Sequence, residues 1–124
     1  MGLNIDDRGN LYIHQGDTGD VVVTGIDTDK NYRIYFGIKD ARRVTVGEEL
    51  MVESNFQPTV TIRLESEYTD LFNVPVDEPF SVYYYGLKKC ADNDVDTLFL
   101  ENCTYGRLYK FVVFPKLVEG ESNE

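Results

Sequence analysis

The sequence predicts an all-β fold, an antiparallel two-layer β-sandwich of immunoglobulin-like or jelly-roll-like kind. Three observations carry this. At least six stretches alternate apolar and polar residues in steps of two, and nearly every gap between them is built from Asp, Asn, Gly or Pro. The 9 Tyr and 7 Phe, against no Trp, favour a pleated surface over a helical one. A closed barrel is the second candidate.

The elements follow in order. Asn4-Ile5-Asp6-Asp7-Arg8-Gly9-Asn10 is polar and turn-rich, so residues 1–10 read as an arm or a loose first strand, held by a neighbour. Residues 11–15 form a short strand that breaks at Gly16-Asp17, and residues 20–24 resume as a β-branched run of valines. After the turn Asp27-Thr28-Asp29-Lys30-Asn31 comes the clearest strand, residues 32–39. There Tyr32, Ile34, Phe36 and Ile38 point to the core while Arg33, Tyr35 and Lys39 point to water. Residues 44–46 and 50–53 are further short strands, and residues 57–64 place Val60, Ile62 and Leu64 inward with Pro58 at the strand's start, where a missing amide donor is tolerated.

Residues 65–72 lose the period of two and carry helix-tolerant side chains, which predicts one helical turn crossing between the sheets. Pro75 and Pro79 keep the next segment out of a helix. A long strand over residues 80–89 contains Tyr83-Tyr84-Tyr85-Gly86 and therefore shows tyrosine on both faces. Asp92-Asn93-Asp94 turns the chain, residues 96–101 return it, and residues 107–114 form the last strand before Pro115. The single domain thus covers residues 11–118, followed by an acidic tail over 119–124. No repeat and no linker stand out.

A chain of 124 residues makes one domain, and a domain of this length buries roughly two thirds of its unfolded surface. The formal charge of −10 repels phosphate backbones and anionic lipid surfaces, so nucleic acid is not expected as a partner. The basic pairs Arg42-Arg43 and Lys88-Lys89 lie beside acidic residues and read as solvated strand ends. No apolar run approaches the ~18 residues that span a bilayer, and the start is acidic where a signal peptide is basic, so synthesis in a cytoplasm with no membrane association is expected. Gly2 is not a myristoylation site, because Asp6 stands where the motif wants Ser or Thr.

Cys90 and Cys103 show no C-x-x-C spacing, and two cysteines are too few for a structural zinc site. A hairpin turning at residues 91–96 would set Cys103 opposite a residue near Tyr83, far from Cys90, so two reduced thiols are expected.

Candidate chemistry is sparse. His14 has Asp17 and Asp20 nearby, but no serine sits in a glycine-rich elbow to be activated. Asp92-Asn93-Asp94-Val95-Asp96 and Asp27-Thr28-Asp29-Lys30-Asn31 begin as calcium loops do. The first then has Thr97 and Cys103 where glycine and a bidentate Glu are required, and the second has Tyr32 and Ile38. Asp and Asn that bond their own backbone in turns explain both clusters. Neither a spaced carboxylate pair nor a phosphate loop is favoured. No catalytic, metal or cofactor residue is therefore assigned. The tyrosines are the remaining feature: exposed tyrosine is enriched at protein interfaces, and Tyr83, Tyr85, Tyr105 and Tyr109 are assigned as an interface set.

Ile13-His14-Gln15-Gly16-Asp17-Thr18 followed by a β-branched strand resembles the opening of the β-sandwich domains at the N-termini of bacteriophage baseplate and tail proteins. Tyr32-Arg33-Ile34-Tyr35-Phe36, Tyr83-Tyr84-Tyr85-Gly86-Leu87-Lys88 and Val113-Phe114-Pro115-Lys116-Leu117-Val118-Glu119-Gly120 are similar to small phage structural proteins. The resemblance implies a non-enzymatic virion component of tail, baseplate, head fibre or capsid decoration. Its expected partners are other virion proteins or copies of itself in a homo-oligomer, made in the host cytoplasm. The alternative is a carbohydrate-binding module with outward tyrosines stacked on sugar rings. The last strand is apolar in both registers over residues 111–114 and poorly protected as an edge. It is expected to be central or covered, with the arm of residues 2–10 as its cover, in cis or from a neighbour.

Overall fold

Alternating patterns become strands where one face can be buried, and the computed structural model, which describes residues 2–100 and 108–118, shows where each face goes. The order is β1 (Asn4–Ile5), β2 (Leu11–His14), β3 (Gly19–Val23), β4 (Arg33–Lys39), β5 (Leu50–Glu53), β6 (Val60–Leu64), α1 (Ser66–Thr69), β7 (Ser81–Ala91), β8 (Asp94–Leu98) and β9 (Tyr109–Phe114). The chain is all-β, with α1 as its single helical turn among the described residues. Seven strands form one sheet in the order β1-β2-β9-β7-β4-β5, with β8 also on β7, and β3 pairs with β6 as a second, smaller sheet.

The two sheets share one core. Val21 and Val23 of β3 and Val60, Ile62 and Leu64 of β6 bury with Leu11, Ile13, Ile34, Phe36, Ile38, Phe111 and Val113 of the large sheet. The inward sets expected for β4 and β6 are the ones observed, and Arg33, Lys39, Thr61 and Arg63 lie outside. The turn α1 closes one end of this core. It sets Tyr68 and Phe72 against the large sheet, where the Phe72 ring meets Tyr68, Tyr83 and Phe111 at centroid distances of 5.3, 5.1 and 5.2 Å.

The sheet is mixed rather than purely antiparallel. β2 and β9 run parallel, with Leu11 opposite Phe111 and His14 opposite Phe114, while β9 and β7 are antiparallel. A parallel pair needs a long crossover, and here almost the whole domain serves as one. The described part of the last strand is therefore central, flanked by β2 and β7. Residues 44–46 contribute only an isolated bridge, Lys39 with Thr45, flanked by hydrogen bonds from the Asp40 amide to the Val44 carbonyl and from the Val46 amide to the Ile38 carbonyl. Asp92-Asn93 alone turns β7 into β8, with Asp92 at φ 53° in the left-handed region that Asp tolerates.

From residue 2 on, the expected arm is part of the domain. β1 pairs with β2, not with β9, so it blunts the outer edge of β2. Asp6 organises the connection: its carboxylate accepts the amides of Arg8 and Asn10, the Asn10 side-chain amide and the Tyr12 hydroxyl. The buried Asn10 then accepts the Lys110 amide at 3.1 Å, anchoring this loop to β9. Cys103, Tyr105, Arg107 and the tail 119–124 lie outside the described residues.

Candidate interaction face

One broad face of the large sheet packs on the core, and the other faces outward. Residues opposite one another in a ladder share a face. On β4 and β7 the outward pairs are Arg33 with Cys90, Tyr35 with Lys88, Gly37 with Gly86, and Lys39 with Tyr84. Inward between them lie Ile34, Phe36, Ile38, Tyr85 and Leu87, all buried. Outward neighbours beside them are about half exposed or more: Met51 of β5 at 49 %, and Val95 of β8 and Leu108, just before β9, at 58 % each. No described element covers this face.

At its centre is a groove of about 990 Å³. Gly37 and Gly86 form its floor, Tyr35 and Lys88 one wall, and Lys39 and Tyr84 the other. Glu49 lies at one end, with its carboxylate 3.3 Å from where a Cβ on Gly37 would be, and Leu108 at the other. Tyr35-Phe36-Gly37-Ile38-Lys39 and Tyr84-Tyr85-Gly86-Leu87-Lys88 are two copies of one pattern: Tyr, aromatic, Gly, aliphatic, Lys. Antiparallel pairing with glycine opposite glycine relates the copies by a local two-fold axis, so each lysine faces the other copy's tyrosine. The chain therefore does contain a short repeat, and this pentapeptide was the available signal for the site.

The groove is lined by three cations, Lys39, Arg43 and Lys88, against two carboxylates, Asp40 and Glu49, in an anionic chain. Lys39 reaches only the Thr45 hydroxyl at 3.2 Å, and Lys88 and Arg43 make no ion pair with any described residue. Arg43 stands at the rim on a loop closed by Asp40, whose carboxylate accepts the amides of Arg42 and Val44. Arg43 itself has φ 65°, an uncommon conformation for a side chain of this size.

The assigned tyrosines turn inward instead. Tyr85 and Tyr109 are buried, and Tyr83 is partly buried against Phe72 with its hydroxyl donating to the Asn73 carbonyl at 2.8 Å. The reason is register: Leu87 and Tyr85 must share the core face, so Tyr83 follows them and Tyr84 goes outward. Tyr105 lies outside the described residues. Tyr84, with Tyr35 of β4, is the tyrosine this face presents.

The remaining candidates resolve as structure. His14 is exposed and lies against the Phe114 ring at 5.1 Å, Asp20 pairs with Arg63 at 3.4 Å, and the Asp17 carbonyl accepts the Thr69 hydroxyl. The two Asp-rich turns sit side by side, with the Lys30 ammonium 3.4 Å from Asp92 and 3.6 Å from Asp94, a lysine where a calcium loop would hold its ion. No group of three or more His, Cys, Asp or Glu is placed to hold a metal among the described residues. Cys90 is a free thiol on the outward face. No described helix is long and apolar enough to cross a membrane.

Among the described residues two titratable groups are strongly perturbed, and neither lies in the groove. Burial would raise the Asp6 carboxyl, but the hydrogen bonds from Asn10, Tyr12 and Arg8 outweigh it and bring it down to about 2. Burial pushes the Tyr68 hydroxyl up to about 12, and that hydroxyl has no hydrogen-bond partner among the described residues. No protein-family model matches the chain, and no curated protein matches it in sequence.

Proposed function

We propose that this chain is a non-enzymatic assembly protein of a bacteriophage virion, working through protein contacts made by the outward face of its large sheet. The observation that carries the reading is that face: Met51, Val95 and Leu108 stand exposed on it beside the half-buried Tyr35 and Tyr84, and no described element covers it. Contiguous apolar surface on a soluble domain marks an interaction site, and tyrosine is enriched at such interfaces. The likeness of the Gln15-Gly16-Asp17-Thr18 bend and its following strand to phage tail and baseplate openings supplies the setting.

The test is particle association. Gradient-purified particles from cells producing the tagged protein should carry it at a fixed copy number, measured by native mass spectrometry, with matching density by electron microscopy. Protein found only free and monomeric refutes the reading. A carbohydrate-binding module is the second reading, favoured by Tyr35 and Tyr84 at opposite corners of the groove. Specific retention on a glycan array, lost in Tyr35→Ala and Tyr84→Ala, would reverse the order.

A further inference from the structure

Gly86 stands in the middle of an eleven-residue strand, where glycine weakens the pairing because it forfeits chain entropy and side-chain packing. Two structural demands normally justify such a glycine. One is a positive φ, which the backbone of Gly86 does not have; the other is crowding, and a Cβ built there meets nothing within 4 Å. The fold has room for a side chain and does without one. Its cross-strand partner is also glycine, but the Glu49 side chain lies over Gly37, so the bare backbone between the walls of tyrosine and lysine is that of Gly86. An open strand glycine of this kind suits the close approach of another backbone.

Charge selects the kind of backbone. The chain holds 22 acidic residues against 12 Lys and Arg, so its cations should be taken up in ion pairs. Yet Lys39, Lys88 and Arg43 line this groove without one among the described residues, although two carboxylates line it too: Asp40, which accepts the Arg42 and Val44 amides, and Glu49 at its end. Lys39 and Lys88 stand at diagonal corners, their Cα atoms roughly 14 Å apart by strand geometry, a span of about four residues of extended chain. Ligand sites of roughly 300 to 1,000 Å³ bury most of a small ligand, and this groove lies at the upper end of that range.

We propose that the Gly37–Gly86 groove binds an extended acidic polypeptide segment of a partner protein. The segment's backbone lies over Gly86, on the side of the floor away from Glu49, and its carboxylates meet Lys39, Lys88 and Arg43. This inference rests on the assembly reading and names the chemistry of the contact.

The experiment titrates the isotopically labelled full chain with a blocked decapeptide alternating Glu and Ser, and follows amide shifts by NMR. The matched peptide with Gln for Glu is the control, and the protein's own negative charge disfavours non-specific uptake of the acidic one. Shifts should cluster at Gly37, Tyr84, Gly86 and Lys88, appear only with the Glu peptide, and weaken as salt is raised. Gly86→Val and the double variant Lys39→Glu/Lys88→Glu should each reduce affinity at least tenfold, while Gly86→Ala should melt at the wild-type temperature or above it.

Three outcomes overturn the inference: shifts that are absent or lie elsewhere, binding that survives both groove variants, or a clear fall in the melting temperature of Gly86→Ala, which would assign the glycine to the fold. Preference for an anionic oligosaccharide over the Glu peptide would replace it with a glycan site. Particle association by a protein that ignores the peptide sinks this inference alone. Peptide binding by a protein never found on particles sinks the virion reading alone.

Discussion

The hydroxyl of Tyr85, at the centre of β7, donates a 2.6 Å hydrogen bond to the carbonyl of Gly9, 76 residues earlier in the chain. This bond ties the N-terminal segment to the middle of the large sheet. Gly9 has φ 86°, which sets its carbonyl toward Tyr85, and Asn10 beside it accepts the Lys110 amide. Tyr85→Phe keeps the ring stacked on Phe36 but leaves a buried carbonyl without its donor. A loss of about 1 to 2 kcal/mol is expected, measured by urea unfolding. Deleting residues 2–10 should cost more, lowering the melting temperature, so truncation is not a neutral way to test assembly. Unchanged stability in both proteins would refute the anchoring role.

Asp6 makes the same segment acid-sensitive. Its folded carboxyl titrates near 2 against an ordinary value of 3.8, so the folded state favours the ionised form. The stabilisation is complete above the unfolded value and fades as pH falls through the window between 3.8 and about 2. Amide hydrogen exchange at Arg8 and Asn10, corrected for intrinsic rates, should speed up across that window. Asp6→Asn should show fast exchange at neutral pH and no further acid response. A wild-type profile that stays flat down to pH 2 would contradict the network.

Tyr68→Phe is expected to stabilise the protein. The Tyr68 hydroxyl is buried and has no partner among the described residues, which costs about 1 to 3 kcal/mol for a desolvated polar group, and its removal leaves the ring against Phe72 in place. Thermal melting should rise by several degrees. A fall would mean that the hydroxyl has a partner after all.

Phe72 is the side chain that justifies the helical turn. It is fully buried and touches Tyr68, Tyr83 and Phe111. Phe72→Ala should destabilise by about 3 to 5 kcal/mol through the cavity it leaves. Exposed Leu71, next to it, should tolerate Ala within about 0.5 kcal/mol. Equal effects at the two positions would place the core differently.

The inward sets were legible because burial imposes a period of two: Ile34, Phe36 and Ile38, or Val60, Ile62 and Leu64, could face only one way. What local pattern does not encode is which strands become neighbours. The parallel pairing of β2 with β9 is a contact across a hundred residues, and nothing in Leu11–His14 announces it. The tyrosine run failed for a related reason. Three consecutive tyrosines fit either register, and only Leu87 opposite Phe36, across to β4, decides that Tyr85 is inside and Tyr84 outside. The groove was within reach of the sequence, since Tyr-x-Gly-x-Lys occurs twice, but its meaning depends on the two copies lying antiparallel with their glycines aligned. Asp6 was read as loop polarity because its partners Asn10 and Tyr12 are identifiable only once the turn is closed.

The insertion of β9 between β2 and β7 also sets an order of events during synthesis. The strand that fills the middle of the sheet is translated last, so a nascent chain can form the β3–β6 ribbon and the β4–β7 pairing while the slot beside β7 stays open. Until residues 109–114 leave the ribosome, β2 and that side of β7 expose unpaired backbone, and β1 covers only the far side of β2. Long-range closure of this kind is slow, and open strands are sites where chains pair wrongly with one another. Chains stalled or cleaved before residue 109 are thus the species most prone to aggregate, and yield in recombinant expression depends on how fast the final strand arrives.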